Sequence, residues 1–360
     1  MIREINEPWV IENFALEQPK EDEILVKMVG TGICHTDIAC RHGFPVQMPI
    51  ILGHEGAGIV ESIGSGVTSI RPGDHVVLSF DSCGQCRNCQ QDRPAYCFDF
   101  FPINFSGGRI ADNSSPVSNG KEKLHSAFFS QSSFATHAIA REANSVVIDK
   151  DLPLQIMGPL GCGIQTGAGA IVNSLGVDAG DSLVIFGGGA VGLSALLGAK
   201  IVGASKVIVV ELNSERRKLA LEFGADLTIS PVDTPDVFNE IKNYCGGVNY
   251  AFDTTGLPAV IEVAMESLLS GGMLGMVGAP PPDASMPANL MSMLSRGVGA
   301  KYIIEGDSNP KIFIPKMIEW YRAGKFPFDK MIKKFPFSQI NEAAAAAELG
   351  HVIKPVLIFD

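Results

Sequence analysis

Cys83, Cys86, Cys89 and Cys97 stand within fifteen residues in a C-x2-C-x2-C-x7-C spacing. Their loop, Asp81-Ser-Cys-Gly-Gln-Cys-Arg-Asn-Cys-Gln-Gln-Asp-Arg-Pro-Ala-Tyr-Cys97, has no apolar periodicity that would make it a helix or a strand. Such a loop holds a shape only if its thiolates are tied together. Tetrahedral zinc bound by four thiolates does this and leaves no coordination position for a substrate. The spacing predicts a structural metal, with a pair of disulfides as the other reading.

A second set of donors is scattered. Gly53-His-Glu-Gly-Ala-Gly58 places His54 beside Glu55 at a turn between apolar strands. Alone, His54 reads as a satisfied buried histidine. Cys34-His-Thr-Asp37 upstream and Leu160-Gly-Cys-Gly163 downstream add two thiols. Two cysteines and a histidine form the ligand set of a catalytic zinc with an open fourth position. Whether these three distant segments meet is left open by spacing alone. Cys40 and Cys245, the remaining two of eight cysteines, have no partner pattern and read as ordinary thiols.

Gly187-Gly-Gly-Ala-Val-Gly192 fits G-x-G-x-x-G after a five-residue apolar strand and at the start of a helical stretch, Ala190 to Gly203. The next strand ends in Glu211, nineteen residues beyond Gly192. This is one βαβ unit with its acid in the expected place. Gly187 permits the tight turn, Gly189 lets backbone N–H groups approach a pyrophosphate, and Gly192 allows close helix packing. A carboxylate at Glu211 accepts both ribose hydroxyls and repels a 2′-phosphate, which favours NAD over NADP. Arg216 and Arg217 lie close enough in sequence to the same site to pull the other way.

These residues need elements to hold them. Up to about residue 160 the chain reads as short strands between Gly/Pro turns, among them Glu23–Val29, Gly58–Ile63 and His75–Ser79. From Ile164 to Ile303, six apolar strands alternate with amphipathic helical stretches: Ser182–Phe186, Lys206–Val210, Leu227–Ile229, Tyr250–Asp253, Met273–Val277 and Lys301–Ile304. That is the doubly wound α/β pattern. The tail carries helices near Pro315–Ala323 and Ala343–Ala347 and a last strand, Pro355–Phe359. A nucleotide-binding domain of residues 164–303, inserted into a mostly-β domain of residues 1–163 and 304–360, explains this order. Phe98 to Ser133 is polar and Gly/Ser/Asn-rich, and reads as a long excursion.

Composition narrows the function. A chain of 360 residues with 46% hydrophobic residues and 39 glycines suits a two-domain α/β enzyme. The net charge of −11 is spread along the chain, and no Lys/Arg block interleaves with aromatics, which argues against nucleic-acid binding. No apolar run is long enough for a membrane span, and Met1-Ile-Arg-Glu-Ile-Asn-Glu-Pro8 lacks the apolar core of a signal peptide. A reducing cytoplasm is the expected compartment.

Together the motifs resemble the zinc-dependent alcohol dehydrogenases of the medium-chain dehydrogenase/reductase superfamily over essentially the whole chain. The pattern G-H-E-x2-G-x5-G-x2-V is matched by Gly53, His54, Glu55, Gly58, Gly64 and Val67. The four-cysteine loop, the Cys-His-Thr-Asp segment and the Gly-rich turn stand in family order. Within the family the chain is most similar to bacterial aryl-alcohol (benzyl alcohol) dehydrogenases, through Phe128–Ala135, Gly158–Ala170 and Gly324–Asp329.

The resemblance implies a GroES-like catalytic domain plus a Rossmann domain, NAD, two zinc ions per subunit and a homo-oligomer, dimer or tetramer. It implies oxidation of a small primary alcohol, most plausibly aromatic, to an aldehyde. By the same resemblance Cys34, His54 and Cys162 hold the catalytic zinc, and Glu55 stands behind as a transient ligand. Asp37 orients His54, and Thr36 bonds the alcohol oxygen. His35 and Lys354 fall at pyrophosphate contacts, Thr166 by the nicotinamide, and Arg216 among the cofactor residues. Many relatives carry a proton-relay histidine where this chain has Ala39, so the proton must leave through water or another base. The first strand also reads as shorter than in the family, as if a few residues preceded Met1. A zinc-free quinone reductase or a non-catalytic NAD-binding protein accounts poorly for both cysteine sets. Zinc dehydrogenases of terpenoid, polyol or glutathione-linked alcohols are the closer alternatives.

Overall fold

The computed structural model describes residues 1–120 and 122–359. The chain divides into two compact units: Met1–Gly163 with Asn309–Glu319 and Phe328–Asp360, and Ile164–Ser308 with Trp320–Pro327. The second junction therefore lies at Ser308/Asn309 and not at 303/304. Glu305 explains the difference, because its carboxylate accepts bonds from Gln165 and Thr166 of the second unit.

In the first unit β1 (Glu23–Gly32) is the central strand. Ile24, Val26 and Met28 alternate along it at the period of two that a strand requires, and all are buried. They pack with Val60 of β2 (Gly56–Ile63), Val76 and Leu78 of β3 (His75–Leu78), and Ala138 and Ala140 of β4 (His137–Arg141). Full burial of such a side chain contributes roughly 1.5–3 kcal/mol. β2 pairs antiparallel with β1 and β3, β4 pairs antiparallel with β1, and β5 (Ser145–Ile148) closes on β3. On the other side Lys354–Ile358 joins β1 antiparallel at Gly30–Gly32 and carries Ile332–Pro336 parallel to itself. The C-terminal strand thus lies beside the end of β1, just before Cys34.

The second unit is a six-stranded parallel sheet. Its strands are β6 (Ser182–Phe186), β7 (Lys206–Val210), β8 (Leu227–Ile229), β9 (Val248–Asp253), β10 (Leu268–Met276) and β11 (Gly299–Tyr302), in the order β8-β7-β6-β9-β10-β11. Every residue of β6 is buried, as a strand covered on both faces must be. The order reverses between β6 and β9, and ligands of such sheets bind at the carboxyl ends beside that reversal. Val184, Phe186, Ile208, Val210, Ile229, Ala251, Leu274 and Met276 form much of its core.

Candidate active site and metal centres

α1 (His35–Arg41) begins directly after Cys34, and its start is fixed by Asp37. Asp37 Oδ2 accepts the Cys34 N–H at 3.0 Å, while Oδ1 accepts the Gly53 N–H at 3.0 Å and lies 3.1 Å from His54 Nδ1. Both Asp37 oxygens already accept backbone N–H groups, so Nδ1 is the donor to Oδ1 and Nε2 the free nitrogen of the ring. Nε2 is buried and has no hydrogen-bond partner.

Cys34, His54, Glu55 and Cys162 come together there, with one donor atom from each lying within 4.8 Å of all the others. A hydrogen bond from Cys162 holds the Cys34 thiol well below its ordinary pKa despite burial. Burial disfavours a charged imidazole at His54, yet Asp37 and Cys34 hold its pKa well above the usual histidine value. An orphaned imidazole nitrogen facing two thiols, one already biased to thiolate, is a donor set that fits zinc. Thr36 Oγ1 stands 3.8 Å from Cys34 Sγ.

Glu55 is held from behind by a backbone N–H and a lysine. Its Oε1 accepts the Gly163 N–H at 3.0 Å, and both oxygens lie 2.9 Å from Lys354 Nζ. A Cβ at Gly32 would collide with the Glu55 carboxylate, so glycine is what lets β1 pass there. Burial raises the Glu55 pKa against the pull of Lys354. Lys354, expected beside a pyrophosphate, is 3% exposed and also donates to the Ile33 carbonyl, so its first partner is Glu55. His35 is exposed on the first turn of α1.

The other cysteine group is closed. Cys86 Sγ lies 3.5 Å and Cys83 Sγ 3.9 Å from Cys89 Sγ, and all four donors lie within 4.8 Å of one another. Disulfide sulfurs would be about 2.05 Å apart. Four sulfurs bound tetrahedrally to zinc at about 2.3 Å stand roughly 3.8 Å from each other, so the spacing fits the metal and not the disulfides. Backbone N–H groups of Cys89 and Phe98 lower the Cys86 pKa to about 6. The N–H groups of Cys83 and Cys86 donate to Cys97 Sγ and Cys83 Sγ, both at 3.3 Å.

In the second unit the Gly-rich turn behaves as its spacing requires. Gly187 has φ +98°, in the region where glycine is favoured. Gly189 caps α2 (Ala190–Val202) with open space around its Cα, and a Cβ at Gly192 would strike the Gly187 carbonyl. Glu211, at the end of β7, accepts the N–H of Gly188 at 2.5 Å and of Asn213 at 2.8 Å. Asn213 caps α3 (Ser214–Glu222) by accepting from Glu215 and Arg216. Arg217 donates to the carbonyls of Glu211 and Leu212 at 2.8 and 2.6 Å, which turns it toward the backbone. Thr166 Oγ1 donates to Glu305 at 3.4 Å.

Sequence reasoning missed three participants. Gln131, Asn144 and Phe129 surround His54 or the loop beside it, and Phe129 stacks on the imidazole at 4.6 Å. Phe129 and Gln131 lie inside a stretch quoted only for its likeness to aryl-alcohol enzymes, so likeness was the one available signal.

The family model of the alcohol dehydrogenase GroES-like domain matches residues 20–149, and that of the zinc-binding dehydrogenase matches residues 190–321. The fold and site are those of a zinc-binding dehydrogenase with GroES-like and Rossmann parts. Geraniol dehydrogenase of Castellaniella defragrans is 52% identical over 360 residues, covering all of this chain and 96% of that protein. Benzyl alcohol dehydrogenase of Acinetobacter calcoaceticus superposes with a TM-score of 0.94 at 43% identity, over 98% of this chain and 96% of that one. A zinc-binding-domain alcohol dehydrogenase of Burkholderia ambifaria gives 0.96 at 45%, over 99% and 97%. The chain belongs to the zinc-type alcohol dehydrogenases of the medium-chain superfamily.

Proposed function

We propose that the protein oxidises an activated primary alcohol to its aldehyde with NAD, giving NADH and a proton. The observation that carries this reading is the buried meeting of Cys34, Cys162 and the unpartnered Nε2 of His54. These three hold the catalytic zinc, Glu55 stands by as a transient ligand, and Cys83, Cys86, Cys89 and Cys97 hold the structural zinc. Zinc supplies Lewis-acid polarisation of the alcohol oxygen, and NAD supplies the hydride acceptor. Asp37 fixes the His54 ring. Thr36 Oγ1 accepts the hydrogen bond of the alcohol hydroxyl and relays its proton by giving up its own to water. Gly187, Gly189 and Gly192 bind the pyrophosphate, Glu211 the ribose diol, and Thr166 lies by the nicotinamide. His35, exposed on the first turn of α1, is a candidate phosphate donor, with Lys354 acting chiefly through Glu55 and Arg216 among the cofactor residues.

The substrate reading is supported by a run of aromatic rings beside the site. Phe129 and Phe128 flank His54 at 4.6 and 5.5 Å between ring centres. Phe105 continues the line 5.1 Å from Phe129, and Phe44 and Phe101 extend it to the surface at 5.4 and 5.5 Å from Phe105. Such a line favours a flat ring, so benzyl-type alcohols come first. A terpenoid substrate is the second reading, favoured by the name of the 52% identical relative. Benzyl and geranyl alcohols share an unsaturated carbon next to the carbinol, so both products are conjugated aldehydes.

Steady-state rates with NAD for benzyl alcohol, cyclohexylmethanol, geraniol and citronellol test this. The unsaturated member of each pair should be favoured, and benzyl alcohol should lead. A lead for geraniol selects the terpenoid reading, and equal use of saturated and unsaturated members would sink the activated-alcohol class.

The same reading extends to setting. The eight free cysteines suit the reducing cytoplasm. No helix among the described residues is long and apolar enough to cross a membrane. β11 is an edge strand, and α6 (Leu290–Arg296), reached after α4 (Val237–Cys245) and α5 (Pro258–Glu266), precedes it with Leu290, Met291 and Leu294 at least 70% exposed. This edge is where a second copy would join to form a homo-oligomer.

A further inference from the structure

Phe129, Ser130 and Ser132 have φ of 51°, 49° and 47°, a left-handed conformation that side chains other than glycine rarely adopt. They lie in a buried run from Leu124 to Phe134. The surroundings impose the conformation. Asn144 Nδ2 donates to the carbonyls of Phe129 and Ser130 at 3.1 and 3.3 Å. Ser132 Oγ accepts the Phe128 N–H at 2.9 Å and donates to the Ile51 carbonyl at 2.6 Å. The N–H groups of Ser133 and Phe134 donate to the Gly53 and Leu52 carbonyls. Strain held so firmly, and kept by residues that are not glycine, calls for a function.

Its product is the environment of His54. The Phe129 ring lies over the imidazole at 4.6 Å and 28°, and the Phe128 ring meets it edge-on at 84°. Gln131, 1% exposed, donates from Nε2 to the His54 and Ser79 carbonyls at 3.0 and 3.1 Å and accepts the Gly56 N–H at 3.1 Å. One residue therefore holds the His54 carbonyl and the backbone on the far side of Glu55. Simple core filling needs neither the left-handed backbone nor a ring parallel to the imidazole.

We propose that residues 128–132 form a clamp in which Phe129 and Gln131 are positioning residues for His54. Asp37 holds Nδ1, Gln131 holds the backbone, and Phe129 stops the ring from turning about its Cβ–Cγ bond. Nε2 is then aimed at the two thiols whether or not metal is bound. The clamp rests on the reading of His54 as a metal ligand.

The test exchanges the open-site metal for cobalt(II) in the full-length protein. It records the visible spectrum and the rate of metal transfer to 4-(2-pyridylazo)resorcinol, with thermal melting as a check on folding. Phe129→Leu and Phe129→Gly should release metal at least about tenfold faster and shift the cobalt bands, as loss of an orienting partner does. Phe129→Tyr, which keeps a stacking ring, should behave as the parent. Gln131→Met should release metal faster in the same way. Folded Leu and Gly variants with the parent's release rate and spectrum would overturn the clamp. Loss of metal from Phe129→Tyr equal to that from Phe129→Leu would do the same, because stacking would then be irrelevant. A His54→Gln protein with an unchanged cobalt spectrum would instead remove the ligand reading beneath it.

Discussion

Under the proposed reading, cofactor choice rests on the carboxylate of Glu211. Its oxygens are held by the N–H groups of Gly188 and Asn213, so the charge stays at the end of β7. Arg217, which could have offset that charge, faces two backbone carbonyls instead. NAD should therefore exceed NADP in kcat/KM by at least about a hundredfold, the discrimination of some 3 kcal/mol expected when a buried acid must accept a phosphate. Glu211→Ala should narrow the gap mainly through KM for NADP. Equal use of both cofactors by the parent would mean that Arg216 governs the site. Thr36→Ala should lower kcat by about 10²–10⁴-fold, the usual range when proton transfer limits the chemistry. Ala39→His should alter the rate little unless proton exit is slow, and the pH profile of kcat separates the two cases. At this scale the sequence was most readable where residue type is scarce. Cysteines, a His-Glu pair and a Gly-rich turn announce themselves. The Glu55–Lys354 pair, 299 positions apart, and the Gln131 tether announce nothing, because ordinary polar residues acquire meaning only through who they touch.

Elements carry the metal chemistry in two distinct ways. The four-cysteine loop has only a one-turn helix, Arg87–Gln90, and a 3-10 turn, Pro94–Tyr96, to shape it, so under the proposed reading a bound metal would supply the order. The open site takes Cys34 from the junction of β1 and α1, His54 and Glu55 from the turn before β2, and Cys162 from the end of the 3-10 turn Gly158–Gly161, and both strands are paired in the sheet. Metal analysis should find about two zinc per chain, as one closed and one open ligand set require. Mild chelation should leave roughly one zinc, no activity and a nearly unchanged melting temperature. A single zinc at the outset, or loss of both together, would contradict this division. Cys97→Ser should lower the melting temperature far more than Cys162→Ser, since only the first dissolves a loop. The regular elements were legible within a few residues because burial imposes a period of two or 3.6 on the side chains. The stretch Phe98 to Ser133 was not. Its glycines, serines and asparagines suggested a long excursion, but Leu124–Phe134 is buried. Composition records polarity and cannot record that Gln131, Ser132 and Ser133 each find partners inside.

Beyond one chain, the parallel sheet ends at β11, whose outer side has no strand among the described residues. Unpaired edges of this kind are usually short, charged or covered. Here the neighbourhood is apolar: Leu290 is 78% exposed, Leu294 76%, Met291 70% and Tyr302 50%. A chain with net charge −11 repels its own copies, so association at this edge must come from apolar contact and strand pairing, and salt should strengthen it. Burying three such side chains on each partner is worth up to about 9–18 kcal/mol, at roughly 1.5–3 kcal/mol each, before the entropy of association is subtracted. The protein should therefore sediment as a multiple of its 38.3 kDa chain at micromolar concentration. Leu290→Glu combined with Leu294→Glu places four like charges across a two-fold contact and should shift it to single chains. Both positions are solvent-exposed within the chain, so the melting temperature of the separated chain should fall by no more than the loss of association explains. Sedimentation velocity at low and high salt decides the matter. A parent that sediments as single chains under both conditions, or a double variant that still associates, would place the oligomer contact elsewhere or remove it.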